Sequence, residues 1–294
     1  MTLEQLRIFV AVAEQEHMTR AASALHLTQS ATSAAIAALE ARYATKLFDR
    51  VGRNIKLTEA GRLFLIEARA VLARASAAET VLADLAGLKR GSLSIAASQT
   101  VGNYWLPPLL HRYRQRHPGI TLDLTIGNTE QVAIRVRDGL ADVGYVEGEI
   151  DDPALSVTPV AEDELVLVVG AAHPWAKLIS LAPAQLRDAT WIAREHGSGT
   201  RKVLEASLAG FGLSPQDIKI ELALPSNESV RSAVAAGAGA TIISKLVIAN
   251  LLTSGGLVAL KLPLPTRHFF SVRHKERYVT QAERELEKLI AEKQ

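Results

Sequence analysis

Apolar residues at the start of the chain recur at helical spacing. Leu3, Leu6, Phe9, Val10 and Ala13 share one face and predict a first helix of about twelve residues. Thr19 reads as the N-cap of a short second helix with Ala21, Ala22 and Leu25 on its inner face. Leu25-His26-Leu27 is then a tight connection, and histidine tolerates left-handed backbone better than most residues. Thr28 caps a third helix through Ile36, Leu39 and Tyr43. Two short helices across a tight turn, the first lined with alanine so that the second packs close, make a helix-turn-helix pattern. Leu47-Phe48-Asp49-Arg50 and Val51-Gly52-Arg53-Asn54-Ile55-Lys56-Leu57 follow as two extended pieces around a Gly-containing turn, a wing.

Residues 58–88 contain no proline and are dense in Ala, Arg, Glu and Leu, which predicts one long helix of about 45 Å. Along it Phe64, Ala68, Val71, Ala75, Ala78, Leu82 and Leu85 alternate at spacings of four and three, a seam of period 3.5. Such a seam packs either on its own chain or against a second copy. Gly87 and Gly91 bracket Lys89-Arg90 and mark a hinge. Beyond it, apolar strands at 93–97, 120–126, 142–146, 165–169, 218–223, 240–243, 258–260 and 269–272 alternate with helices at 104–116, 130–138, 201–211, 228–236 and 245–252. That order predicts an α/β architecture with parallel sheets.

Composition narrows the function. With 294 residues and 48% hydrophobic content, the chain is long enough for about two domains and too apolar for disorder. The absence of cysteine excludes disulfide frameworks, thiol nucleophiles and zinc fingers. Glu4 and Arg7 interrupt what would be the apolar core of a signal peptide, and the longest apolar run, near 165–172, is far below the ~18 residues of a membrane span. A cytoplasmic protein is expected. The net charge of +2 hides an asymmetry. Residues 1–90 carry 12 Lys and Arg against 9 Asp and Glu, and the remainder 21 against 22. The excess gathers at Arg42, Lys46, Arg50, Arg53, Lys56 and Arg62, around the wing, as in a module that binds a polyanion.

The run Phe9…Ala21-Ala22…Leu25…Leu27-Thr28-Gln29-Ser30-Ala31…Ser33…Ile36…Leu39-Glu40…Leu47-Phe48-Asp49-Arg50…Leu57-Thr58-Glu59-Ala60-Gly61 resembles the DNA-binding half of the LysR-type transcriptional regulators. The resemblance implies a winged helix-turn-helix at 1–57 whose third helix enters the major groove of double-stranded DNA. It also implies a dimerising linker helix at 58–90 and a periplasmic-binding-protein-like effector domain at 91–294. Lobe I of that domain is expected at 91–161 and 267–294, and lobe II at 162–266. A homodimer, a homotetramer built from it and RNA polymerase complete the implied partners. Thr28, Gln29, Ser30, Thr32 and Ser33 place short donors and acceptors at a helix N-terminus, while Arg50, Arg53 and Lys56 track phosphate from the wing. Ala34 and Ala35 stand where relatives often carry basic or amide side chains, so readout is expected to lean on half-site spacing and DNA shape.

In such a fold a ligand sits at the carboxyl ends of the strands, against helix N-termini. Four loops converge there: Ser98-Gln99-Thr100, Asn128-Thr129, Gly197-Ser198-Gly199-Thr200 and Asn227-Glu228, with Tyr145 and Glu147 as further lining. Hydroxyls and glycine amides at helix starts form a nest for a small anion. The 197–201 loop and the segment 227–237 resemble the branch of the family that includes regulators of sulfur assimilation and carbon fixation. The resemblance implies an inorganic sulfur oxyanion as effector, with a phosphorylated or carboxylic metabolite as the alternative.

The rival classes fare worse. Glu195, His196 and Ser198 are sequence neighbours, not a convergent triad, and the Gly-x-Ser-x-Gly spacing is missing. Gly237-Ala238-Gly239 lacks the third glycine of a dinucleotide fingerprint, and eight histidines show no metal-ligand spacing. No enzyme, no metal and no cofactor are expected. A periplasmic solute-binding protein would match 91–294 but not the basic N-terminal module.

Overall fold

The computed structural model describes residues 1–51, 54–85, 91–178 and 181–292, in two units divided after Leu85. In the first unit, α1 (Leu3–Gln15) is held at its start by a capping box between Thr2 and Gln5. Helix α2 spans Met18–Ala24 and its N-cap is His17, whose Nδ1 accepts the Arg20 amide, instead of Thr19. The ring nitrogen can cap as a hydroxyl does, so the helix begins two residues early and Thr19 lies inside it. His26 takes a positive φ of 55° in the turn, as its residue type allows. Helix α3 (Gln29–Tyr43) starts where Thr28 Oγ1 accepts the Ala31 amide at 3.2 Å. Ala21 and Ala22 are buried, and the lack of bulk there lets α2 and α3 approach. Strands β1 (Phe48–Val51) and β2 (Asn54–Leu57) pair antiparallel as a wing.

Helix α4 (Glu59–Leu85) returns across this unit. A side chain at Gly61 would collide with the Leu47 carbonyl, so glycine lets the start of α4 lie against the wing. The Phe9 ring packs on Phe48 at 5.5 Å and on Phe64 at 4.8 Å. Phe64 and Ala68 therefore belong to the core of their own unit, with Leu65 and Leu72, and not to a dimer seam. Of the expected seam, Val71 and Leu82 are exposed, as are Leu63 and Ile66 one helical face away. Arg53 and the 86–90 part of the expected hinge lie outside the described residues, and Gly91 opens the next strand.

The second unit holds two five-stranded sheets. The first has the order β4-β3-β5-β12-β6, from β3 (Gly91–Ser98), β4 (Ile120–Gly127), β5 (Val143–Val146), β6 (Leu155–Asp163) and β12 (Arg267–His274). The second has the order β11-β7-β10-β8-β9, from β7 (Leu165–Gly170), β8 (Thr190–Arg194), β9 (Lys219–Leu224), β10 (Ala240–Ser244) and β11 (Leu257–Leu260). Helices α5 (Leu106–Arg116), α6 (Thr129–Asp138) and α11 (Gln281–Ala291) belong to the first lobe. Helices α7 (Pro183–Arg187), α8 (Gly199–Gly210), α9 (Asn227–Ala235) and α10 (Lys245–Thr253) lie along the second-lobe stretch of the chain. The sheets are mixed and not all parallel: β12 runs antiparallel to β5 and β6, and β7 to β10 and β11. The chain crosses between lobes twice, at Glu164 between β6 and β7 and again between β11 and β12.

Two strands and two helices escape the sequence pattern. Strand β6 carries Pro159 in mid-run, tolerated because β6 is an edge strand and the β12 register slips beside it, between Phe269 and Phe270. Strand β8 ends its short apolar run on an arginine. Helix α7 is five residues long, and α11 is rich in charge over one apolar face of Leu286, Leu289 and Ile290. No described helix is long and apolar enough to cross a membrane.

Within α11, Glu283 is buried. Burial pushes its carboxyl from its ordinary 4.5 up to about 7, against the pull of Arg273. A folded-state acid raised in this way leaves stability intact at low pH and loses it as pH rises from about 4.5 to about 7. Melting curves of Glu283→Gln and the parent should diverge over that interval, the variant gaining relative stability as pH rises. Parallel curves would contradict the assignment.

Candidate functional site

The exposed face of the first unit is built around the start of α3. Thr28, Gln29, Ser30 and Ala34 are exposed and Ser33 is half-buried. Thr32 is not available: it is fully buried and its Oγ1 donates to the Thr28 carbonyl at 3.1 Å, locking the first turn. This overturns its expected place among the DNA-reading residues. Lys56 is exposed on β2, and Arg50 stands on β1 opposite Ile55. Glu40, which sequence reasoning passed over, ties these elements together. Its Oε1 accepts the amides of Leu47 (2.8 Å) and Phe48 (3.2 Å), and its Oε2 meets Lys46 Nζ at 2.7 Å. Burial opposes its ionisation, but Lys46 and the two amides prevail and hold the carboxyl below its usual range.

In the second unit the strands β3, β4, β5, β8, β9 and β10 end where the two lobes face each other and bond across. One turn of π-helix at Val101–Trp105 follows β3 there, a form that recurs at functional sites. From the first lobe come Ser98, Thr100, Thr129 and Glu147, and from the second Ser198, Thr200 and Asn227, all buried. Glu147 Oε1 accepts both Thr100 Oγ1 (3.2 Å) and Thr200 Oγ1 (3.3 Å), one hydroxyl from each lobe. Asn227 Nδ2 donates to Thr100 Oγ1 at 3.0 Å, and Gln99 bridges to the Pro225 carbonyl and the Asn227 amide. Asn128 caps α6 and reaches Glu195 Oε1 at 3.3 Å.

Gly197 has a φ of 82°, and a Cβ on Gly199 would come within 2.8 Å of Thr129 Oγ1, so both glycines let the lobes close. Glu228 sits at the rim, accepting Tyr104 Oη at 2.8 Å and Asn103 Nδ2 at 3.3 Å, a cross-lobe link and not a lining side chain. Tyr145 is excluded from the crevice. It is packed with Leu109, Tyr113 and Leu286 in the first-lobe core, because the alternation of β5 turns it toward α11.

Two buried arginines went unforeseen. Arg194 ends β8 and pairs with Glu195 (Nε–Oε2 2.7 Å) while donating to Asn227 Oδ1 at 2.7 Å. Arg267 opens β12 directly opposite Asp163 at the end of β6 and pairs with it, with its Nη1 3.4 Å from Thr200 Oγ1. Ser244 Oγ donates to the same aspartate at 2.6 Å. The available signal was a lone arginine closing an apolar strand, as in Trp191-Ile192-Ala193-Arg194. Burial raises the Glu147 carboxyl despite Arg267, Arg194 and Thr100. Glu195 is also opposed by burial, but Arg194 holds its carboxyl below the ordinary range. Among the described residues Ser98 Oγ, Thr129 Oγ1 and Glu147 Oε2 are buried hydrogen-bonding atoms without a protein partner.

Two family models match: "Bacterial regulatory helix-turn-helix protein, lysR family" over residues 3–62 and "LysR substrate binding domain" over residues 86–294. A probable RuBisCO transcriptional regulator of Cyanophora paradoxa is 37% identical over 288 residues, covering 96% of this chain and 89% of its own. The full-length CbnR structure in complex with its target DNA superposes with a TM-score of 0.74 at 23% identity, covering all of both chains. The regulatory domain of CcmR from Synechocystis PCC6803, in complex with 2-PG, gives a TM-score of 0.62 at 26% identity, covering 69% of this chain and 97% of that one.

The crevice geometry makes Asp163 the partner that permits a buried Arg267. Asp163→Asn should cost about 3–5 kcal/mol in chemical denaturation, because it strands a buried guanidinium. Adding Arg267→Met should recover most of the loss. A single variant as stable as the parent would contradict this account.

Proposed function

Because the chain belongs to the LysR family of DNA-binding transcriptional regulators, we propose that its effector is a small oxyanion held in the crevice between the lobes, a sulfur oxyanion foremost. The single observation that carries this reading is the set of buried hydroxyls and amides at three helix starts, with Ser98 Oγ and Thr129 Oγ1 unpartnered. Donors converging on helix N-termini suit a compact anion. The CcmR regulatory domain, in complex with 2-PG, favours a second reading in which the anion is phosphorylated. Ser98, Gln99, Thr100, Asn128, Thr129, Glu147, Gly197, Ser198, Gly199, Thr200 and Asn227 form the binding set of this proposal.

On the DNA side, Thr28, Gln29, Ser30 and Ser33 meet the duplex from α3, while Arg50, Arg53 and Lys56 meet phosphate from the wing. The exposed Val71 and Leu82 of α4 support pairing of two such helices in a homodimer, with a homotetramer as the larger assembly. Effector binding then biases the closure of the lobes, and through the linker helices the spacing of two reading heads and the bend of the DNA.

The experiment is a thermal-shift panel on the full chain with sulfate, sulfite, thiosulfate, phosphate, sugar phosphates and short dicarboxylates. A true effector at a hundred times its Kd adds about 2.7 kcal/mol. Thr100→Ala or Ser198→Ala should abolish that gain and leave operator affinity intact, whereas loss of operator binding in either variant would refute the site. On the other unit, Lys56→Ala should weaken binding on all sequences and lower the salt slope by about one. An unchanged slope with altered sequence preference would refute the wing assignment.

A further inference from the structure

The charges around the crevice are already matched before any ligand arrives. Arg194 is engaged by Glu195, and Arg267 by Asp163. The carboxylate left over is Glu147, buried to within 2% of full exclusion. Its Oε1 is spent on Thr100 and Thr200, and its Oε2 accepts nothing among the described residues. The groups that bond to it or act on its charge come from both lobes: Thr100 just ahead of the π-turn and Thr200 from α8 by hydrogen bond, Arg267 from β12 and Arg194 from β8 by charge, with Thr129 of α6 beside it across Gly199. A bare oxyanion placed among these hydroxyls would set its own lone pairs against Oε2, while the two neighbouring guanidiniums are already paired with Glu195 and Asp163. Two acceptors in that position repel unless a hydrogen lies between them.

We propose that Glu147 Oε2 and the bound oxyanion share one proton, so that Glu147 selects oxyanions that bring a proton of their own. This rests on the reading of the crevice as an oxyanion site, and within it ranks sulfate behind hydrogenphosphate wherever Glu147 is ionised. Hydrogenphosphate and sulfate carry the same charge and the same tetrahedral shape near neutrality, yet only the first has an O–H to donate. It binds with its own proton on the shared hydrogen bond. Sulfate binds only when Glu147 is protonated, by a proton taken up from solution. The raised carboxyl of Glu147 makes that uptake accessible toward acid pH.

The test is calorimetric titration of the full-length protein with sodium phosphate and sodium sulfate from pH 6 to pH 9, in pairs of buffers with different ionisation enthalpies. Sulfate affinity should fall by about tenfold per pH unit on its alkaline limb, with one proton taken up per anion there. At pH 9 the parent should prefer phosphate over sulfate by at least about tenfold. In Glu147→Gln the carboxamide can donate to sulfate directly, so the sulfate limb should vanish and the preference collapse. The proton count in the unmodified protein stands even if that variant folds poorly. Sulfate binding with no pH dependence and no proton uptake would overturn the proposal while leaving the oxyanion site intact, as would an alkaline limb that survives in the variant. Silence from both anions at every pH would overturn the site itself, and the proposal with it.

Discussion

Where the antiparallel register of β6 and β12 sets Arg267 opposite Asp163, a carboxylate and a guanidinium face each other out of water, at the end of the sheet that opens on the crevice. Removing two charges from water costs several kcal/mol each, so the pair exists only because further groups satisfy it. Ser244 from the second lobe donates to the aspartate, and Arg267 leans toward Thr200. The two strands that carry the chain between the lobes are therefore tied both to each other and, through Thr200, to the start of α8.

The DNA-binding unit solves a similar problem on a smaller scale. A wing of two four-residue strands has little core of its own and needs an external anchor. Glu40 supplies it from the buried side of α3, accepting the two amides that begin β1, while Phe9 stacks between Phe48 and Phe64. The same glutamate, on the apolar side of α3, thus fixes the start of β1 against that helix.

Much of this was legible from residue pattern alone. The three N-terminal helices, the wing, the long helix and eight strands of the second unit follow from periodicity and from a cap such as Thr28, because those are local effects. What stayed hidden was set by tertiary context. Pro159 reads as a break until β12 is seen to slip past it. Thr32 looks like a DNA-facing hydroxyl until its bond to the Thr28 carbonyl turns it inward. Tyr145 and Glu147 are two residues apart and were read alike, yet one is core and the other lies just past the strand end, in the crevice. Phe64 and Ala68 fit a seam of period 3.5 equally well as own-chain core or as partner contact, and only the packed structure decides between the two. Arg194 and Arg267 were missed because the burial of a charge depends on partners such as Glu195 and Asp163, whose meeting depends on register and side-chain placement within the fold.

The central claim is that a small oxyanion occupies the crevice between the lobes. Its most direct measurement is anomalous diffraction from crystals of the full-length protein soaked in selenate at pH 6, where selenium marks the position of a sulfate-shaped ion. The account predicts a peak within hydrogen-bonding reach of Thr100, Thr129 and Ser198, lost in crystals of the Ser198→Ala variant. Selenium found only at surface positions, with the crevice empty, would contradict it.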